Sequence, residues 1–329
     1  MNQSHEPHTS HDVALVLGGG GAAGNAWQLG VIAGLADAGY DLTALADLVI
    51  GTSAGSTAGA AVRSGMSAAD LYAAALTAPA RPGGAGGASG AGGAGGAGAG
   101  AAAPGPAQRP PALPQQELFE RLRAIGAAAG SAEELHRALG AFALESDAVL
   151  RPGADQRRAL VASRLPSQDW PERPLLVLAL NAHTGELVAF DRDSGVELAD
   201  AVTASTALPG GTATHIVDGV HYINGGVRSA ENADLAAGYA TVIVLSPFGG
   251  PDWKRPGQFE GIRRFPGYGL GDQVEALRAQ GSRVVVITPD AASLEAMGTN
   301  QMDPATRPPS ARAGFAQGRR EAERLTPAV

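Results

Sequence analysis

The 329-residue chain contains no cysteine, which excludes disulfides and thiolate metal sites. It has a single lysine, Lys254, and a formal charge of −8 from 24 basic and 32 acidic residues. No basic run reverses that balance locally. Nucleic acid is therefore not expected as a partner, and contact with a membrane is expected to be peripheral at most. No uninterrupted apolar stretch is long enough to span a bilayer. Residues 1–11, MNQSHEPHTSH, lack the apolar segment of a secretory leader, so the expected location is cytoplasmic. The histidines of that stretch read as part of a frayed tail rather than as metal ligands.

Glycine, by contrast, is abundant, with 47 residues concentrated in a few places. Residues 83–103 are glycine and alanine apart from Ser89, a composition that cannot bury a core, and 82–112 reads as a flexible insertion. Around it the chain alternates strands and helices. VALVL at 13–17 is a continuous apolar run, as in a strand buried on both faces. Trp27, Val31 and Leu35 then recur at helical spacing. LADLVIGTSAGSTAGAAV repeats the theme of strand, tight turn and helix. LLVLALN, TVIVLSPF and RVVVITPD are further core strands, DQVEALRAQ is a helix ended by Gly281, and 311–325 is a closing helix. Helical spacing also places Leu118, Leu122 and Ile125 on one face, and Leu135, Leu139 and Phe142 on another. The alternation predicts a three-layer α/β/α fold with a mostly parallel central sheet over 12–325. A helical cap or lid region is expected at 115–165.

The chemistry centres on GTSAG at 51–55, which fits G-x-S-x-G between a strand and a helix. A serine on that turn is lifted above the sheet, so Ser53 is the candidate nucleophile and Gly51, Thr52, Ala54 and Gly55 its elbow. A second glycine group, Gly19, Gly21 and Gly24, has G-x-G-x-x-G spacing. A dinucleotide site would need an acid ending the next strand, and Asp41 and Asp47 lie near that distance. The following strand runs into the serine turn instead, which favours an oxyanion loop at 18–24. A Walker loop is absent. A late histidine base is also absent: none follows His221. His136 and His183 read as surface residues, and His215 and His221 are reserves. The apolar alternation of HYINGGVRS at 221–229 runs into Asn-Gly, which reads as a hairpin turn.

Taken together, LVLGGGGAAGNAWQLGVIAGL, GTSAGS, LNAHTGELVAFDRDSGVELADAVTASTALPG and NGGVRSAENADLAAG resemble the successive motifs of the patatin-like phospholipases. The resemblance implies a Ser–Asp dyad that hydrolyses lipid or other acyl esters through an acyl-enzyme, without metal or cofactor. It assigns the nucleophile to Ser53 and the base to position 224, followed by Gly225 and Gly226. It assigns the oxyanion hole to Gly19, Gly20, Gly21, Ala22 and Gly24.

Three departures stand out. Residue 224 is asparagine, whose amide cannot take the serine proton, and loss of a positioned base typically costs about 10²–10⁴ in rate. Ala23 replaces the basic residue common in the family loop, and GGTATH at 210–215 replaces a proline pair. A deliberate exchange, a natural silent relative, and deamidation of the Asn-Gly pair each account for Asn224. Two functions follow: an acyl hydrolase impaired at residue 224, or a silent protein of the same fold that binds lipid or a partner. Oligomeric state is not read from the sequence.

Overall fold

Alternate residues of the first strand face two different cores. Val13, Leu15 and Leu17 pack on one side of the sheet and Ala14 and Val16 on the other, which is why the run is apolar throughout. The structure is a computed structural model that describes residues 13–77, 114–249 and 265–325. The tail at 1–11 and the glycine–alanine tract at 82–112 lie outside the described residues.

The elements run β1 (Val13–Leu17), α1 (Gly21–Asp37), the one-turn α2 (Leu42–Leu45), β2 (Leu48–Thr52), α3 (Ala54–Val62), α4 (Ala68–Leu76), α5 (Gln115–Ala128), α6 (Ala132–Leu150) and α7 (Ala154–Ala162). After these come β3 (Leu175–Asn181), β4 (Leu187–Phe190), α8 (Leu198–Ser205), β5 (His215–Val217), β6 (Val220–Asn224) and β7 (Thr241–Leu245). The chain ends with α9 (Leu270–Ala279), β8 (Arg283–Ile287), α10 (Ala291–Met297) and α11 (Arg307–Leu325). Among the described residues the strands form one sheet ordered β5-β6-β3-β2-β1-β7-β8, with β4 also on β3. Pairings among β3, β2, β1, β7 and β8 are parallel; β4, β5 and β6 join antiparallel. Residues of α1, α3, α4, α8 and α11 contribute to the core on one face, and α9 to that on the other. This is the three-layer α/β/α architecture expected.

The register of β3 is what builds the site. Val177 and Leu178 pair with both β2 and β4, so those two strands lie on opposite edges of β3. Ala179 and Leu180 pair with both β4 and β6, so β6 lies on the same edge as β2. β2 ends with Thr52 opposite Leu178, and β6 arrives from the other direction to end with Asn224 opposite Ala179. Two C-terminal strand ends therefore meet head to head on one edge, although their residues are far apart in sequence.

Some sequence expectations shift. The hairpin turn is not Asn224–Gly225 but Asp218–Gly219, both at positive φ, which joins β5 to β6. Asn224 instead closes β6 and leads into a 3₁₀ turn at Gly225–Val227. The glycine loop after β1 is shorter than 18–24, because α1 already begins at Gly21. α11 begins at Arg307 rather than near 311, since Pro308 and Pro309 fall in its first turn, where no intrahelical N–H is needed.

Leu118, Leu122, Leu135, Leu139 and Phe142 are buried together between α5 and α6. Ile125, Leu208 and Val227 pack against them. The seam of this helical pair thus reaches the turn that follows Asn224.

Candidate active site

Ser53 stands between β2 and α3 at φ 56°, ψ −117°, a left-handed conformation that costs a non-glycine residue energy. The glycines two residues either side permit it by close approach. A Cβ on Gly51 would stand 2.6 Å from the Gly55 carbonyl oxygen, and one on Gly55 would overlap the carbonyl of Leu17. The elbow is held from the side as well, because the Ser53 N–H donates to Ser205 Oγ at 2.9 Å. Ser53 itself is half-buried.

Asn224 is buried beside it. Its Nδ2 donates to Ser53 Oγ at 2.9 Å, while its Oδ1 accepts the Gly226 N–H at 2.7 Å. The second bond fixes the sense of the first: with the carbonyl oxygen engaged by a backbone donor, the amino group is what faces the serine. Gly225 is required for the approach to β3, since a Cβ there would stand 2.5 Å from the Leu178 carbonyl oxygen.

The structure also brings in residues to which the sequence motifs assigned no role. Asn232, buried at φ 53°, directs its Nδ2 toward Thr52 Oγ1 at 3.2 Å, Gly225 O at 3.3 Å and Ser229 O at 2.8 Å. One side chain therefore links the turn at Ser53 to the turn after Asn224. Arg228 holds that clamp, donating to Asn232 Oδ1 at 2.7 Å and to Asp234, with its guanidinium over the Tyr268 ring. The signal available in sequence was NGGVRSAEN itself, whose second asparagine returns to its own turn. Ser205 carries no comparable signal.

The first glycine group lies against the serine: a Cβ on Gly19 would stand 3.5 Å from Ser53 Cβ. Its amides are not equivalent. Gly19 N–H donates to Ala230 O at 2.8 Å, and Gly24 N–H to Gly20 O at 2.8 Å. The N–H groups of Gly20, Gly21 and Ala22 have no acceptor among the described residues. Gly21 and Ala22 open α1, where backbone donors lack intrahelical partners. Ala23, buried in that helix, donates its N–H to Gln301 O.

The histidines are engaged elsewhere, and none bonds Ser53 among the described residues. His215 Nε2 lies 2.7 Å from Asp200 Oδ1, and burial lowers its pKa despite that carboxylate. His221 Nδ1 is 2.8 Å from Thr214 Oγ1, and its ring meets that of His183 edge to face. His136 is buried against Tyr268, and burial, followed by the charge of Arg228, lowers its pKa to about 4. Among the described residues there is no cluster of three or more histidine or acidic side chains able to hold a metal.

The family model for patatin-like phospholipases matches residues 15–237, more than half of the chain. The chain belongs to this family. The match ends before β7, yet the sheet of this patatin-like protein continues, with β1 lying between β2 and β7. Family membership supports a lipid acyl hydrolase function acting on lipid ester substrates. The comparison with curated proteins found no match. No helix among the described residues is long and apolar enough to cross a membrane.

Proposed function

We propose that the chain is a patatin-like hydrolase of lipid or other carboxylic esters whose acyl transfer is restrained at residue 224. In this reading Ser53 Oγ attacks the ester carbonyl, a step that needs a carboxylate at position 224 to take its proton and that Asn224 therefore slows. The tetrahedral oxyanion rests on free amides of Gly20, Gly21 and Ala22, aided by the N-terminus of α3. The alcohol then leaves with the proton, and water hydrolyses the acyl-enzyme. The seam of α5 and α6, lying against Val227 and Leu208, caps the acyl chain. The observation that carries the reading is the 2.9 Å hydrogen bond between the Ser53 hydroxyl oxygen and the residue-224 side chain.

That bond also explains the restraint. The amide donates to Oγ and its one good acceptor is already bonded to Gly226, so the serine proton has nowhere to go. The same fact favours a second reading, a silent patatin fold that binds lipid or a partner. Reaction with a fluorophosphonate probe separates the two. Labelling that is slow but confined to Ser53, and lost in Ser53→Ala, supports the restrained hydrolase. Absence of labelling in both the native chain and Asn224→Asp leaves the silent binder.

A further inference from the structure

The family match ends at residue 237, yet the loop that carries the free amides is walled by residues from beyond it. Pro247, two residues past β7, packs on two of its glycines. A Cβ on Gly20 would stand 2.5 Å from Pro247 Cβ, and one on Gly24 would stand 2.8 Å from the same atom. A second wall is the connection between α10 and α11. A Cβ on Gly21 would meet Gln301 O at 2.6 Å and Met302 Sδ at 2.9 Å.

That connection is pinned to the start of α1 by polar contacts. Gln301 O accepts the Ala23 N–H at 3.0 Å, and Arg307 donates to Asn25 Oδ1 at 2.7 Å. Asn25 in turn donates to the carbonyl of Ala54, next to Ser53, at 3.2 Å. None of these contacts needs the Met302 side chain, which leans on Gly21 while the residue stays 49% exposed. A solitary exposed apolar residue is ordinary. This one lies against a glycine whose N–H has no acceptor among the described residues, where the oxygen of a substrate carbonyl would be received.

The two faces of the sheet decide which arm of an ester would reach it. Ala143 of α6 is buried with Leu180, which shares its side of β3 with Leu178 and so with the α9 core. Met297 of α10 and Ala311 of α11 are buried in the core on the other face, with Val177 and Ala179 of the same strand. The α5–α6 seam and the Met302 connection therefore come from opposite faces of the sheet. An ester whose acyl chain lies under the seam has its alcohol directed the other way, across Gly21 toward Met302.

We propose that Met302 is a specificity-determining residue for the alcohol part of the ester, its side chain forming an apolar wall for an alkyl chain. The proposal rests on the hydrolase reading above. An unbranched, polarisable thioether adapts to chains of differing shape, and alkyl carbons buried against it gain binding that a methyl ester lacks.

The test uses the full chain with Asn224→Asp, in which the hydrolase reading expects turnover. Hexyl and methyl butyrate form one substrate pair, methyl octanoate and methyl butyrate another, all in monomeric solution. Acid release gives kcat/KM for each ester, and the ratio within a pair does not depend on how much of the protein is folded. Hexyl butyrate should be favoured over methyl butyrate about tenfold or more. Met302→Gln, which keeps the length of the side chain, should cut that ratio about fivefold or more, and Met302→Leu should retain most of it. The acyl ratio should move by less than about twofold in both variants. Leu294→Gln, at another exposed apolar residue on α10, should move neither ratio. An alcohol ratio that survives Met302→Gln overturns the proposal, as does an acyl ratio that falls as far or an equal response to Leu294→Gln. Fluorophosphonate labelling of Asn224→Asp keeps the two readings apart. Labelled Ser53 with no alcohol preference sinks the Met302 wall alone, and an unlabelled Ser53 sinks the hydrolase reading on which it rests.

Discussion

Asn224→Asp is expected to switch Ser53 on. The exchange replaces Nδ2, 2.9 Å from Ser53 Oγ, with a carboxylate oxygen of similar size, and leaves Oδ1 to accept the Gly226 N–H at 2.7 Å. The turn is therefore retained while the hydrogen bond to serine reverses direction: the hydroxyl now donates to a base. A positioned general base is worth about 10²–10⁴ in rate, so turnover of a short-chain nitrophenyl ester should rise by at least about two orders of magnitude. The gain should appear in kcat, because the exchange alters proton transfer and not the acyl seam. Only the ionised carboxylate accepts a proton, so the new activity should rise with pH through the aspartate pKa and then level off. Ser53→Ala in the same background should abolish it. Intact mass must be measured on the Asn form beforehand, since deamidation would create the same acid. Equal turnover in mass-verified Asn and Asp forms would refute the dyad and return attention to His215 and His221.

Asn232→Gly keeps the left-handed backbone and removes the link between Thr52 and Gly225. In the Asn224→Asp background it should lower kcat about tenfold with little change in KM, and an unchanged kcat would show the clamp to be structural only. Gly34→Ala should lower the urea midpoint of unfolding by the equivalent of about 1–3 kcal/mol or more, because a Cβ there overlaps the Phe315 carbonyl where α1 packs on α11. An unchanged midpoint would mean that the two helices can separate freely. His136 is held neutral, with a folded pKa near 4 against about 6.5 unfolded, so the unfolded chain binds the proton first as pH falls. The stability that its neutral form confers is complete above about pH 6.5 and lost on descent to about pH 4, by about 2 kcal/mol after allowance for screening. His136→Gln should flatten that part of the denaturation profile, and an identical profile in both proteins would contradict the burial argument.

Much of the fold was legible because its signals are local. An apolar run with two buried faces, as in Val13–Leu17, requires a sheet covered on both sides, and the strands of TVIVL and RVVVI repeat that requirement. Gly51 and Gly55 mark the elbow because the backbone contacts that exclude a Cβ lie close in space to a single turn. The misread hairpin has an equally local cause. Asn224–Gly225 and Asp218–Gly219 are both good turn sequences, and the choice between them depends on which strand is available to pair. Likewise the glycines after β1 look like one loop, but only the placement of α1 decides which amides remain free.

The sequence by itself determined the alternation of strand and helix, the strained serine turn and the resemblance that singled out residue 224, because each rests on neighbours within a few positions. Tertiary structure alone decided that Ser53 and Asn224 touch, since that depends on β2 and β6 ending head to head on consecutive residues of β3. It also decided which way the amide faces, through the Gly226 N–H. Strand register and helix packing act between residues more than a hundred positions apart. No spacing rule along the chain reaches that far.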